Sequence, residues 1–161
     1  MPVVLRQLSV SEVQSILEHR PLFSWQGFVH PGALPPPFVL ESTLAKAFAG
    51  EATFWWLPFL IVEQAEQAVA GGCAFKGLPK NGRAEVLYGV AKSCRGRGIA
   101  SAAVQEMAAI AFANGATEVL AEIEPHNVGS IGVVKKCGFA RVDERRAEDG
   151  VLVEQWVLVR A

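Results

Sequence analysis

Arg95, Gly96, Arg97 and Gly98 place two cationic side chains and two residues without a Cβ directly ahead of an alanine-rich run that extends to Phe112. A glycine-spaced turn entering a helix leaves several backbone N–H groups unpaired at the positive end of the helix dipole, a ready seat for a phosphate. The N–H groups of Arg95, Gly96, Arg97, Gly98, Ile99, Ala100 and Ser101 are the candidate donors, and glycine at 96 and 98 lets an anion approach the backbone. The two arginines add charge. A nucleoside triphosphate loop would need Gly-Lys followed by Ser or Thr, which occurs nowhere in the chain. A dinucleotide fingerprint is nearer, since G-R-G-I-A-S reads G-x-G-x-x-S with Glu118 about twenty residues on. Against it, the four residues Lys92 to Arg95 separate the glycines from the strand before them, and no repeated strand-helix units precede the turn. Other residues able to do chemistry are the carboxylates Glu85, Glu122, Glu124 and Glu148, the hydroxyls of Ser130 and the lone Tyr88, and His126.

These residues need elements to hold them. Val3 to Leu8 reads as a strand, and Ser9 or Ser11 caps a following helix with Val13, Ile16 and Leu17 on one face. Pro21 to Phe38 is too rich in Pro and Gly for a regular element; its Phe23, Trp25, Phe28 and Phe38 either pack on the core or wall a substrate pocket. Leu40 to Glu51 reads as a second helix. Two strands follow, joined near Glu66, and Pro58 inside the first predicts an edge position or a bulge. Arg83 to Ala91 is the strand that feeds the glycine turn. The next helix runs from Gly98 to Asn114 and Gly115, then a strand spans Thr117 to Glu124. Asn127 caps a short helix stopped by Gly138, and a hairpin turns at Asp149 and Gly150. The order β-α-α-β-β-β-α-β-α-β-β predicts a mixed α/β fold with hairpins and one strand-helix-strand crossover in a single domain, 1–161.

With 161 residues, 51% hydrophobic and 19% charged, the chain is long enough for one full core. Its 15 Lys plus Arg against 16 Asp plus Glu give no basic field, so nucleic acid is not an expected partner. The apolar run Phe54 to Val62 is far short of the roughly 20 residues needed to cross a bilayer, and no secretory signal opens the sequence. Three scattered cysteines, Cys73, Cys94 and Cys137, form neither a metal site nor a disulfide framework, which fits the cytoplasm. The apolar stretches W-W-L-P-F and W-V-L-V are candidates for pairing across a homodimer.

Val90 to Ala100 resembles motif A of the GNAT acyltransferases, in which Val is followed by R-x-x-G-x-G/A, here Arg95, Gly98 and Ala100. Asn127, Ser130, Gly138 and Phe139 resemble the family's next helix. A-E-V-L-Y-G-V, from Ala84, is similar to a strand of the subgroup that includes ribosomal-protein N-terminal acetyltransferases. The resemblance implies a mostly antiparallel sheet with a splayed central strand pair. It also implies acetyl-coenzyme A as cosubstrate, with no metal, and direct acetyl transfer to a primary amine, on a small molecule or a peptide N-terminus. A non-catalytic coenzyme A-binding module is the reading from another class.

By position, the resemblance puts Tyr88, Gly89 and Val90 beside the pantetheine arm and the phosphates at Arg95 to Ser101. Ser130 matches a residue that the subgroup uses near the sulfur, and Asn127 is a further expected coenzyme-binding residue. A backbone N–H near Tyr88 or Val90 would hold the developing oxyanion, worth about 3–4 kcal/mol per donor in other enzymes. The amine must lose a proton, and Glu85 and Glu148 match or lie near carboxylates of the subgroup, with Glu122 and Glu124 beside them as further candidates. The family's usual acid is a tyrosine seven residues after the capping Asn. That position is Val134 here, which leaves Ser130, Tyr88 or water as the proton source.

Overall fold

Ser9 sets the first boundary in the chain: its Oγ accepts from the Glu12 N–H at 3.1 Å while a Glu12 carboxylate oxygen accepts from the Ser9 N–H at 3.0 Å. This capping box starts α1 (Val10–Leu17) after β1 (Val3–Gln7) and buries Val13. The computed structural model describes residues 3–20, 27–50 and 54–161. Then come β2 (Phe28–Val29), α2 (Pro37–Phe48), β3 (Phe59–Glu63), β4 (Ala68–Phe75) and β5 (Arg83–Val90). Helix α3 (Ile99–Ala113), β6 (Glu118–Ile123), α4 (Val128–Lys136), β7 (Ala140–Arg146) and β8 (Leu152–Val159) complete the order.

The main sheet runs β1-β3-β4-β5-β6-β8-β7, with β2 beside the start of β4. All neighbours on the main path are antiparallel except β5 and β6, which are joined by the α3 crossover. Helix α3 packs on β1, β5 and β6 and buries Ile99, Val104 and Met107 among small alanines. Small side chains on this face let the helix lie close to the sheet.

The β5–β6 pairing is short. Only Arg83, Ala84 and Glu85 find partners, in Glu118, Val119 and Leu120, and the strands part beyond them. The Lys76 N–H donates to the Glu85 carbonyl at 2.8 Å and the Ala91 N–H to the Ala70 carbonyl at 2.7 Å, so the polar groups of odd-numbered β5 residues face β4. Strand alternation then turns the N–H and C=O groups of Val86, Tyr88 and Val90 toward the gap before β6.

Four expectations are corrected. The Pro21 to Phe38 segment contains a short strand and the first two residues of α2; Phe28 and Phe38 are exposed and do not pack on the core, while Phe38 lines a pocket, the other reading of this segment; Phe23 and Trp25 lie outside the described residues. Helix α2 begins at Pro37, three residues earlier than Leu40, because Pro is suited to the first helical position. Pro58 precedes β3 instead of interrupting it, and its carbonyl accepts from the Leu8 N–H at 2.8 Å. Strand β3 is internal, between β1 and β4, and its register shifts at Ile61/Val62. Strand β8 is flanked by β6 and β7. Neither β3 nor β8 therefore offers an open edge to a second copy, and of W-W-L-P-F only Phe59 lies in a strand; the terminal strand β7 is exposed along its whole length and charged.

Candidate active site

Where β5 and β6 part, the N-terminus of α3 and one face of α4 close a cleft of about 770 Å³. Gly96 and Gly98 adopt φ values of +75° and +77°, a region that side chains with a Cβ enter at a cost, and this bend aims the start of α3 at the cleft. The first bond inside the helix is the Ala102 N–H to the Gly98 carbonyl at 3.1 Å. The N–H groups of Ile99, Ala100 and Ser101 precede it and have no carbonyl within the helix to serve.

Of the residues the sequence points to, Tyr88, Gly89, Val90, Arg95, Gly96, Gly98, Ile99, Ala100, Ser101, Asn127 and Ser130 all line this cleft. Arg97 does not. Its guanidinium turns to Glu63 and Glu66, 3.5 Å from each, where it faces the buried Glu63 carboxylate. The charge expected from both arginines thus comes from Arg95, held by its Nε donation to the Val90 carbonyl at 3.3 Å, and from Lys136 on α4. The cleft's charged lining is entirely positive.

Lys136, Gly129, Gly132 and Val133 were missed by sequence reasoning. Their spacing is the signal that could have found them: residues 129, 132, 133 and 136 fall on one helix face. A Cβ on Gly132 would meet nothing within 4 Å, so this glycine keeps the α4 wall low where the cleft is open. Asn127 caps α4, its Oδ1 accepting from the Ser130 N–H at 3.2 Å.

Tyr88 is the meeting point of three hollows. It lines the cleft, an adjoining pocket of about 350 Å³ beneath the Gly32 to Val39 segment, and a slot of about 210 Å³ in the gap between β5 and β6. Its hydroxyl donates to the Ser130 carbonyl at 3.3 Å. Burial pushes the Tyr88 phenol above its usual range; the hydrogen bond with Ser130 pulls the other way and nearby Cys137 adds to the rise. The phenol therefore keeps its proton at neutral pH. Val134, where the resemblance would place a tyrosine, is fully buried in the core.

The four carboxylates are not brought together. Glu85 pairs with Lys76 at 2.9 Å and lines a separate polar hollow with Arg83 and Glu118. It shares its sheet face with Leu87, opposite the face from which Tyr88 reaches α4. Glu148 is exposed in the turn between β7 and β8. Glu122 and Glu124 do line the slot with Tyr88 and Ser130. Burial would push Glu122 up, but bonds from Arg145 at 2.6 Å and Gln155 at 3.0 Å, with the charges of Arg145 and Lys76, outweigh it and hold this carboxyl below its usual range. Glu124 lies 3.2 Å from His126. Among the described residues, no three His, Cys, Asp or Glu side chains gather as a metal would require, and no helix is long and apolar enough to cross a membrane.

A family model described as an acetyltransferase (GNAT) domain matches residues 3–140. The chain belongs to the GNAT acetyltransferase family. A Bacillus licheniformis protein described as an uncharacterized N-acetyltransferase is 32% identical over 85 residues, covering 52% of this chain and 48% of that one. The match spans about half the length of that curated relative. Among solved structures, an aminoglycoside acetyltransferase in complex with coenzyme A aligns over 99% of this GNAT chain and 95% of its own, with TM-score 0.68 and 16% identity. A spermidine N-acetyltransferase chimera from Vibrio cholerae aligns over 99% and 96%, with TM-score 0.70 and 12% identity. A ribosomal-protein alanine acetyltransferase from Vibrio fischeri aligns over 98% and 92%, with TM-score 0.66 and 15% identity. At these identities the likeness carries the GNAT fold alone.

Proposed function

We propose that the chain, as a single GNAT domain acting in the cytoplasm, transfers an acetyl group from acetyl-coenzyme A to a primary amine. One observation carries this reading: the parted β5–β6 strands and the amide-bearing start of α3 open onto one positively charged cleft. The residues suit the coenzyme. Ile99, Ala100 and Ser101 N–H groups with Arg95 and Lys136 would receive its phosphates, and the β5 polar groups facing the gap would pair with its pantetheine arm.

The reaction follows from the same groups. The neutral amine adds to the thioester carbonyl, and the Tyr88 or Val90 N–H, already turned into the gap, receives the oxygen as charge builds on it. The carbon–sulfur bond breaks, and the thiolate takes the Tyr88 phenolic proton. The amine's proton leaves to Glu124, which lines the slot beside Tyr88 without an arginine partner. Glu122 is held below its usual range by Arg145 and Gln155, which makes it a poorer proton acceptor, and Glu85 sits beside Lys76 in a separate hollow.

Coenzyme A release from acetyl-coenzyme A, measured with and without a panel of primary amines, tests this reading. Amine-dependent release is expected. Tight coenzyme binding with no release on any amine would favour a binding module instead.

A further inference from the structure

The pocket beside the cleft has a chemistry of its own. It lies over a stretch of sheet where Gly72 pairs with Gly89 and Ala74 with Leu87, so small side chains leave a hollow between the strands and the chain above. Leu34, Pro35, Pro36 and Val39 form the opposite wall, with Phe38 at the rim, 67% exposed. Gly72 holds the two walls at their spacing, since a Cβ there would approach Pro35 to 3.0 Å.

Among the described lining residues no carboxylate is present, and the one formal charge is Arg95, which is positive. The thiol of Cys73 adds no anion, because burial pushes its pKa far above the usual range. The pocket joins the cleft along Tyr88, Gly89 and Val90, the stretch at which the proposed reaction places the acyl carbon. An acceptor seated in the pocket therefore has its amine at the reaction point and its remaining atoms against Leu34, Pro35, Val39 and Leu87.

We infer that the acceptor is a small primary amine with an apolar body, aromatic or branched aliphatic, and not a polycation. This rests on the acetyl-transfer reading. An apolar body gains free energy from each area of surface it shares with these walls. A second ammonium group in the same place would lose water, gain no counter-charge from the described lining and face Arg95.

The test compares phenethylamine and isoamylamine with spermidine, kanamycin and an alanine-initiated peptide as acceptors for the wild-type chain, with coenzyme A affinity measured separately by calorimetry. The apolar amines are expected to exceed the others in kcat/KM by about tenfold or more, the scale of discrimination an apolar pocket supplies. Phe38→Glu, at an exposed rim position, is expected to reverse the order by lowering kcat/KM for phenethylamine and raising it for spermidine, with coenzyme affinity unchanged. If coenzyme binds and spermidine, kanamycin or the peptide is the best substrate, the inference falls and the transfer reading stands; if coenzyme binds and no amine reacts, the transfer reading fails and takes the inference with it. If coenzyme does not bind at all, the transfer reading fails first and takes the inference with it.

Discussion

The Tyr88 hydroxyl donates to the Ser130 carbonyl at 3.3 Å and so ties the diverging end of β5 to the first turn of α4, across the gap in which the cleft opens. One phenol thus serves both the shape of the gap and its chemistry. If it gives its proton to the leaving thiolate, Tyr88→Phe lowers the single-turnover rate of acetyl transfer by about 100-fold or more, the scale of a lost general acid. Coenzyme affinity stays within a few fold. A wild-type rate in Tyr88→Phe alongside a slow Ser130→Ala variant would move the donor to the Ser130 hydroxyl.

The pH profile carries the same assignment. An acid must hold its proton to act, and burial pushes the Tyr88 phenol above its ordinary value of about 10. The step that depends on it persists through neutral pH and is lost only on the alkaline side, above about 10. Tyr88→Phe should remove that alkaline limb from the transfer rate. A limb that survives the substitution belongs to another group.

Arg95 and Arg97 are two residues apart and are expected to behave differently. Arg95→Ala removes a cation from the cleft lining and should weaken coenzyme A binding, by an amount that shrinks as salt is raised. Arg97→Ala should leave the affinity alone and lower stability by about 1–3 kcal/mol, since the buried Glu63 carboxylate loses its partner. Adding Glu63→Gln should recover part of that loss. Calorimetric affinities and denaturant melts of the three variants separate these outcomes.

Gly98→Ala places a Cβ at φ +77°, in open space, so strain and not a clash is the expected effect. The left-handed conformation costs a residue with a Cβ about 1–2 kcal/mol. Relief of that strain would swing the α3 N–H groups away from the cleft and raise the coenzyme dissociation constant by about tenfold, equivalent to 1.4 kcal/mol. Equal affinity in calorimetry would mean that the phosphates sit elsewhere.

Glu122 gives the fold a dependence on acid. Its carboxyl is held below the ordinary value in the folded chain, so the stability it contributes is present above the unfolded value of about 4.3 and is lost as pH falls through the folded value. Glu122→Gln should melt below the wild type at pH 7, and the two Tm values should converge as the pH is lowered past about 4. A gap that persists unchanged at low pH would show that packing, not ionisation, is responsible.

Local signals carried much of this far. The glycines at 96 and 98, the Ser9 box, the Asn127 cap and the alternation from Arg83 to Val90 act over a few residues, so the sequence alone determined the element order and the amide-rich turn. The cleft's lining by Tyr88, Arg95, Asn127 and Ser130 was legible for the same reason, through motifs that resemble the GNAT family. Tertiary structure decided what depends on distant partners. It set Arg97 on Glu63, more than thirty residues away, and it fixed Glu85 beside Lys76 and Glu122 beside Arg145. It also made β3 internal despite Pro58, and brought Gly132 and Lys136 to a wall they share with Gly98. A charged side chain is drawn to whichever opposite charge the fold presents, and strand order is a matter of pairing between remote segments; neither is encoded in spacing along the chain.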